Sequence, residues 1–471
     1  MCNGFIYDAY MILSSVHLYC NDHSIWSPQA NLASPQKPNQ LLIALEPEAA
    51  SIYCRKLKQK ECVPDDDQCQ SGAWGSASSL RKQHSSSTNS VSSLVSSPVS
   101  SDFKVGTRYL VVDCGGGTVD LTVHEMEAGG TLKELYKASG GAWGAIGVDQ
   151  EFEDLLKRIF GVDFIVNFKN TKPAGWVDLM IAFEAKKRTA SPSKSNPLNI
   201  SLPYSFIEHY QRLKGQSVEA AVKKCGNKDI KWSSQGMLRL SPSAMLTLFE
   251  PVMREIIRHI GELLKKPELH GLKFLFLVGG FSESPLLQAE IRNAFSHILK
   301  VVIPQNVSLS ILKGAVIFGL DPTVVRVRRS ALTYGVGVLN KYVEGKHPPE
   351  KKVQKEGEWW CTDVFDTFVT VDQSIALGDV VTRAYTPAKS YQTRITITIY
   401  CSEKEHVLFT TDPGVQRCAE LHLDMPDTTG GKTRQLQASM LFGDTEIKVE
   451  AKDISAPNGK VANAVIDFLN K

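Results

Sequence analysis

Residues 109–123, YLVVDCGGGTVDLTV, set three consecutive glycines between two apolar runs. Both runs are too continuous for strands with one wet face, so they read as strands of a sheet covered on both sides. A plain hairpin needs one or two glycines at its turn. The third is explained if the turn holds an anion, because glycine lets backbone N–H groups approach phosphate oxygens closely. Thr118 adds a hydroxyl to Gly115, Gly116 and Gly117, and Asp113, at the strand end, is placed to hold a water on Mg²⁺, the hard cation that accompanies nucleotide phosphates. A strand–turn–strand context excludes the P-loop and the Rossmann glycine loop, which lead into a helix. The bland alternative is a glycine-rich hairpin whose acids, Asp113 and Asp120, are simply solvated.

Three further stretches carry chemistry. In FLFLVGGFSESPLLQAEI a strand runs into Gly279–Gly280 and then a helix with Pro285 near its start, the geometry in which an anion or nucleotide lies against a helix N-terminus. The alternative is an ordinary βα turn. Two such glycine turns suggest two lobes closing on one nucleotide. In LLIALEPEAASIYCRKL a strand leads into Glu46 and Pro47 opens a helix. A carboxylate there can orient a metal-bound water or serve only as a dipole partner of its own helix. In WVDLMIAFEAKKRTASPS, Glu184 precedes Lys187 and Arg188 by three and four residues, which by itself describes a solvated ion-pair face.

Around these motifs the chain of 471 residues divides into zones. Residues 71–101 hold 14 serines and few large apolar side chains, so 71–102 is expected to be a disordered insertion. It interrupts a nucleotide-binding domain of mixed α/β pattern over 40–70 and 103–325. In that domain Ser241 and Pro242 announce a helix whose apolar face is Met245, Leu248, Val252, Ile256 and Ile260. From 330 to 471 short alternating strands such as TRITITIY predict an antiparallel β-sandwich, with Ile395, Ile397 and Ile399 inward and RVRR (Arg326–Arg329) marking the joint between domains.

A net charge of +3 over 53 basic and 50 acidic residues excludes a nucleic-acid footprint. Residues 1–39 are a divergent N-terminal segment, read as soluble helix or irregular chain. Its apolar stretch is broken by Asp8 and His17 and is too short for a membrane span. Ten cysteines without a C-x-x-C pair imply free thiols in a reducing, cytoplasmic setting.

Taken together, LLIALEPEAASIYCRKL, VVDCGGGTVDLTVHEM, GVDQEFEDLL, WVDLMIAFEAKKR, KFLFLVGGFSESPLLQ, ILKGAVIFGLDP, LTYGVGVLNKYVEGKHPPE and LFGDTEIKVEAKD resemble the heat-shock 70-kDa protein family of the actin-like ATPase superfamily, in its divergent 12A/12B-like branch. The resemblance covers roughly residues 40–70 and 103–471. It implies an actin-like, ribonuclease H-like ATPase domain followed by a β-sandwich that binds extended peptide, with ATP or ADP and Mg²⁺ as ligands. It gives Asp113 and Gly115–Thr118 the role of a second phosphate loop, with Asp113 near the metal, and Glu46 that of placing the catalytic water. Glu184, Lys187 and Arg188 become the adenosine-contacting helix, Gly279 and Gly280 the adenosine-side turn, and Ser191 an outlying member of that site.

The departures from the family are equally specific. The first phosphate loop, Asp-x-Gly-Thr, and the phosphoryl-transfer lysine after it have no counterpart, so part of the first lobe is expected to be lacking. Glu283 stands where an adenine-stacking arginine is usual, and Ser308 replaces an aspartate before the final glycine helix. RVRR replaces the acidic-apolar linker, and no helical lid follows the sandwich. These departures leave three readings. The chain binds ATP and protein partners with little or no turnover; or it is an active ATPase chaperone whose first loop belongs to a longer isoform; or it is a scaffold without nucleotide.

Overall fold

The computed structural model describes residues 11–13, 43–57, 61–64, 103–443, 446–455 and 459–467. The serine-rich stretch 71–102 and nearly all of 1–39 lie outside the described residues. The chain forms two compact units, one of residues 1–121 and 140–317, the other of residues 122–139 and 318–471.

The first unit is mixed α/β. β1 (Met11–Leu13) pairs parallel with β2 (Ile43–Leu45), which runs into α1 (Glu46–Cys54). So a strand, not helix or irregular chain, occupies part of the N-terminal segment. β3 (Arg108–Cys114) leads to the glycine loop and then to β4 (Val119–Met126), inside which the boundary between units falls; β5 (Leu132–Gly141) follows, belonging to the second unit as far as Ser139. Next come α2 (Ala145–Phe160), α3 (Val162–Thr171) and α4 (Pro173–Lys187). β6 (Leu198–Ser201), β7 (Ile230–Ser233) and β8 (Met237–Leu240) form a small antiparallel sheet with β8 central, and α5 (Tyr204–Lys214) and α6 (Val218–Lys224) lie between β6 and β7 in the chain. α7 (Pro242–Leu264), β9 (Leu272–Val278), α8 (Pro285–Phe295), β10 (Lys300–Val302) and α9 (Ser310–Leu320) follow in order.

β9 lies between β3 and β10, parallel to both. Tyr109 to Val112 and Leu275 to Val278 are fully buried, as expected of strands covered on both faces. α7 starts where its sequence says: the Ser241 hydroxyl accepts from the Ala244 N–H at 3.0 Å, Pro242 occupies the first turn, and Met245, Leu248, Val252, Ile256 and Ile260 are all buried.

The second unit contains RVRR as a strand. β11 (Val325–Arg329) pairs parallel with β5 and antiparallel with β15 (Ser374–Ala376). The expected joint is thus ordered sheet. Burial does not follow the alternation of valine with arginine, since Val325 and Arg328 are buried while Val327 is only half-buried; the strand is fixed by its two neighbours, and the Arg329 N–H is held by the Glu134 carboxylate at 2.8 Å.

Two antiparallel sheets complete this unit. One has the order β13 (Lys352–Lys355), β14 (Glu358–Val369), β12 (Thr333–Lys341), β17 (Arg394–Ser402), β18 (Val415–Asp424). The other runs β16 (Val380–Tyr385), β19 (Leu436–Phe442), β20 (Glu446–Asp453), β21 (Val461–Asp467). Their inner faces share one core that includes Tyr334, Ile397, Ile399, Leu421, Met440 and Val449. In β20 the alternation is strict: Ile447, Val449 and Ala451 are buried, while Glu446, Lys448, Glu450 and Lys452 are exposed. The thiol expectation fails at one pair, since Cys401 on β17 and Cys418 on the neighbouring β18 form a disulfide. Pairing across strands brings these two cysteines together although sixteen residues separate them in the chain.

Candidate functional site

β3 and β9 pair in the register Asp113↔Val278, so both glycine turns leave the same end of two neighbouring parallel strands. This carboxyl end is where open α/β sheets hold their ligands. The approach is close enough to demand glycine at Gly279. Its φ is +87°, and a Cβ there would stand 2.3 Å from the Asp113 Oδ1 and 2.5 Å from the Cys114 carbonyl oxygen.

The Gly115–Gly117 loop is shaped from outside by the start of α2. The Gly115 N–H donates to the Thr118 carbonyl at 2.9 Å. The loop carbonyls of Gly117, Gly115 and Gly116 accept in turn from the N–H groups of Gly144, Ala145 and Ile146, at 3.1, 3.2 and 2.9 Å. The unpaired donors of a helix N-terminus are thereby spent on the loop itself. The amides of Gly116 and Gly117 are left on the exposed side, donating to no backbone carbonyl among the described residues. Gly144 is the hidden requirement, since a Cβ on it would come within 2.5 Å of the Gly116 and Gly117 carbonyl carbons.

Under the loop lies a group of acids. Asp113 is 2% exposed, and neither of its carboxylate oxygens meets a hydrogen-bond donor among the described residues. Burial, then the charges of Glu46 and Asp120, hold its carboxyl well above the ordinary range. Glu46, in the first turn of α1, is pushed up to about 7, by burial first and the Asp120 charge second. The Thr118 hydroxyl donates to the Asp120 Oδ2 at 3.0 Å, so it is tied to the next strand. Among the described residues no set of three or more His, Cys, Asp or Glu side chains is arranged to hold a metal ion directly. Asp113 alone suits a role through water, because a cation would offset a buried charge that no protein donor meets.

The raised value of Glu46 has a measurable consequence. The fold favours its neutral form, so ionising it costs stability as pH rises from near 4.5 through about 7. Glu46→Gln should therefore melt within a degree or so of the wild type at pH 4.5 and above it at pH 8, in thermal scans without added cation. A gap that stays constant with pH would contradict this.

Beside the loop a cavity of about 370 Å³ opens, within the range of small-ligand sites. Gly116, Ala145 and Ile146 line one side, Gly280, Phe281, Glu283 and Ser284 another, and Phe249 of α7 a third. α4 contributes Glu184 and Lys187, with Arg188 just past its end, and α2 contributes Asp149. Phe152 and Phe183 stack at 3.9 Å and fasten α2 to α4. That sets Asp149 opposite Lys187, whose Nζ is 2.7 Å from the Asp149 Oδ1 and 2.6 Å from the Glu184 Oε2. Arg188 continues the chain of charges, with its Nε 2.7 Å from Glu184 and its Nη1 3.1 Å from Glu283. The helical ion pairs read from the sequence are present, and the same residues wall the cavity.

Of the residues read from sequence, the cavity gathers Gly116, Glu184, Lys187, Arg188 and Gly280. Asp113, Gly115, Gly117, Thr118 and Gly279 form the loop and strand ends beside it, and Glu46 acts on Asp113 through its charge. Ser191 is not in the cavity wall; its hydroxyl bonds that of Ser193 at 2.9 Å. Sequence reasoning missed Gly144, Asp149, Phe249 and Phe281. The available signal was GGAWG, whose last glycine is the one packed on the loop.

The fold and site define a mixed α/β protein with a ligand-sized cavity at the carboxyl ends of parallel strands, joined in one chain to a β-sheet unit. No family model matches the chain. Among curated proteins it is 54% identical over 457 residues to the human heat shock 70 kDa protein 12A, 53% identical over 457 residues to the mouse protein of that name, and 52% identical over 462 residues to human heat shock 70 kDa protein 12B. Each match covers 94% of this chain and 67% of the relative. The chain therefore belongs to the heat shock 70 kDa protein family, in its 12A/12B branch.

Proposed function

We propose that this chain is an atypical, chaperone-like member of its family that binds ATP or ADP with Mg²⁺, engages protein partners, and turns nucleotide over slowly or not at all. The observation that carries the reading is the buried Asp113 carboxylate beneath a glycine loop whose carbonyls are all taken up by α2. Such a loop presents amides to an anion, and such an acid suits a cation held through water. Bound Mg²⁺ supplies charge neutralisation to nucleotide phosphates. For their part, Gly116 and Gly117 offer amide donors, Asp113 orients a water, and Glu46, neutral below about pH 7, withholds its charge until it ionises. Slow turnover follows from the cations. Lys187 and Arg188 are each held by two carboxylates, so neither is free to stabilise charge on a transferring phosphoryl group.

The partner half of the proposal rests on the second unit. β12 and β17 pair from Thr333↔Ser402 to Val336↔Ile399 and then part. A cleft of about 720 Å³ opens there, lined by Val338, Trp360, Tyr385, Ile395, Ile397 and Tyr400 among others. Unpaired strand edges beside apolar pockets suit an extended protein segment. Among the described residues no helix is long and apolar enough to cross a membrane. A cytoplasmic location belongs to the proposal; the free thiols of Cys54, Cys62, Cys114, Cys225 and Cys361 support it, and the Cys401–Cys418 bond speaks against it.

Calorimetric titration with Mg·ATP tests the nucleotide half. Saturable binding is expected in the wild type and its loss in an Asp113→Ala, Thr118→Ala double variant that still melts cooperatively. A folded wild-type sample that takes up no heat on titration, and gains no melting temperature from Mg·ATP, would overturn it in favour of a scaffold.

A further inference from the structure

We propose that Cys401 and Cys418 are a reversible dithiol–disulfide pair that exchanges with small-molecule thiols and disulfides, and that the bond fastens the end of the β17–β18 ladder beside the cleft residue Tyr400.

The two strands pair regularly from Arg394↔Asp424 to Ile399↔Ala419, then slip by one residue to Tyr400↔Arg417 and Cys401↔Gln416. Cys418 is therefore the extra residue of a β-bulge, without a register partner on β17. In an unbroken register it would stand opposite Tyr400, and the two-residue period would point it to the other face of the sheet from Cys401. The bulge re-aims it. Both cysteines then pack against the sandwich core, with Cα atoms 6.3 Å apart, inside the span of a disulfide. The slip and the bond support each other.

Both cysteines are half-buried and β18 is the edge strand of its sheet, so a small thiol can reach the bond. The remaining cysteine of this unit, Cys361, does not compete: it is buried, and burial pushes its thiol up, which leaves little thiolate to attack with. Cys54, Cys62, Cys114 and Cys225 are also free. A bond in a chain that keeps free thiols suits exchange better than a permanent staple, since reducing compartments hold disulfides mainly as transient or sensing bonds.

In the exchange a small thiolate attacks one sulfur of the bond, forms a mixed disulfide with it and expels the other cysteine as thiolate, which takes a proton. A second small thiolate attacks the small-molecule sulfur of that intermediate and releases the second cysteine. The protein disulfide gains two electrons and two protons, and two small thiols become one small disulfide. Tyr400, opposite the bulge, lines the cleft and packs over Gly337 of β12, where a Cβ would meet its ring at 3.1 Å. Opening the bond removes the covalent hold across the bulge, so this end of the ladder opens more often.

The test equilibrates the folded full chain in glutathione buffers, quenches with acid, and counts alkylated Cys401 and Cys418 by mass spectrometry. In about 5 mM reduced glutathione with about one hundredth as much of the oxidised form, at least half of the pair should be reduced, and it should close again in excess oxidised glutathione. Amides of residues 398–402 and 415–420 should exchange hydrogen about tenfold faster in the reduced form. A Cys401→Ser, Cys418→Ser variant should match the reduced wild type in both buffers. A bond that stays intact in the reducing buffer is a structural staple and overturns the proposal. So does a pair that never closes in excess oxidised glutathione, or equal exchange in the two forms.

Discussion

A Gly144→Ala variant should lose at least tenfold in Mg·ATP affinity and melt several degrees below the wild type, although residue 144 is outside the glycine loop. The added methyl would lie 2.3 Å from the Gly116 carbonyl oxygen and 2.5 Å from two loop carbonyl carbons. All three obstacles are backbone, so none can turn aside as the tip of a side chain would. Either α2 retreats, breaking the bonds from Gly144, Ala145 and Ile146, or the loop shifts and re-aims its amides. Overpacking of this kind costs about 1–3 kcal/mol. Gly116→Ala provides the comparison. A Cβ there meets nothing within 4 Å, so its stability should stay within about 0.5 kcal/mol of the wild type. Calorimetry and thermal unfolding of both variants check the contrast; a Gly144→Ala protein that melts and binds like the wild type would refute the packing argument.

The second large effect has opposite signs in stability and function. Asp113→Asn should raise the melting temperature at pH 7.5 in cation-free buffer and abolish Mg-dependent nucleotide binding. Because the fold raises the Asp113 pKa, the native state favours its neutral form. Its contribution to stability is therefore greatest at acid pH and declines as pH climbs above the ordinary carboxylate range. Asparagine is nearly isosteric and removes the charge, although its amide remains a buried polar group. The net gain is on the order of 1–3 kcal/mol, and at about 2–4 °C for each kcal/mol in a unit of this size the shift is measurable. The gap between variant and wild type should shrink toward pH 4. A variant less stable than the wild type at every pH would overturn this, because it would mean that the native carboxylate is held by hydrogen-bond donors.

Both predictions turn on features with different visibility in the sequence. The glycine triplet, Asp113, the Gly279–Gly280 pair and the Ser241–Pro242 helix start were legible as local patterns; Gly279 and the Ser241 cap are backbone demands that few residues meet, whereas Gly116, Gly117 and Gly280 have open space where a Cβ would stand. The strict alternation of β20 and of Ile395, Ile397 and Ile399 was legible for the same reason, since period two belongs to the strand and not to its neighbours. Glu184, Lys187 and Arg188 were ambiguous: their spacing makes helical ion pairs in any solvent-facing helix, and only the stacking of Phe152 on Phe183 turns that face toward Asp149 and the cavity.

What the chain alone determined, then, is where strands end in glycine, where helices are capped and which faces are apolar. All of these follow from forces acting within a few residues. What only the tertiary structure decided is which of those points meet. It aligned Asp113 with Val278 so that two glycine turns share one end of the strands, and it packed Gly144 on the loop. It made a paired strand of RVRR and joined Cys401 to Cys418. Strand register and helix packing are set by burial summed over residues distant in the chain, and a local pattern carries no record of which partner that sum will select.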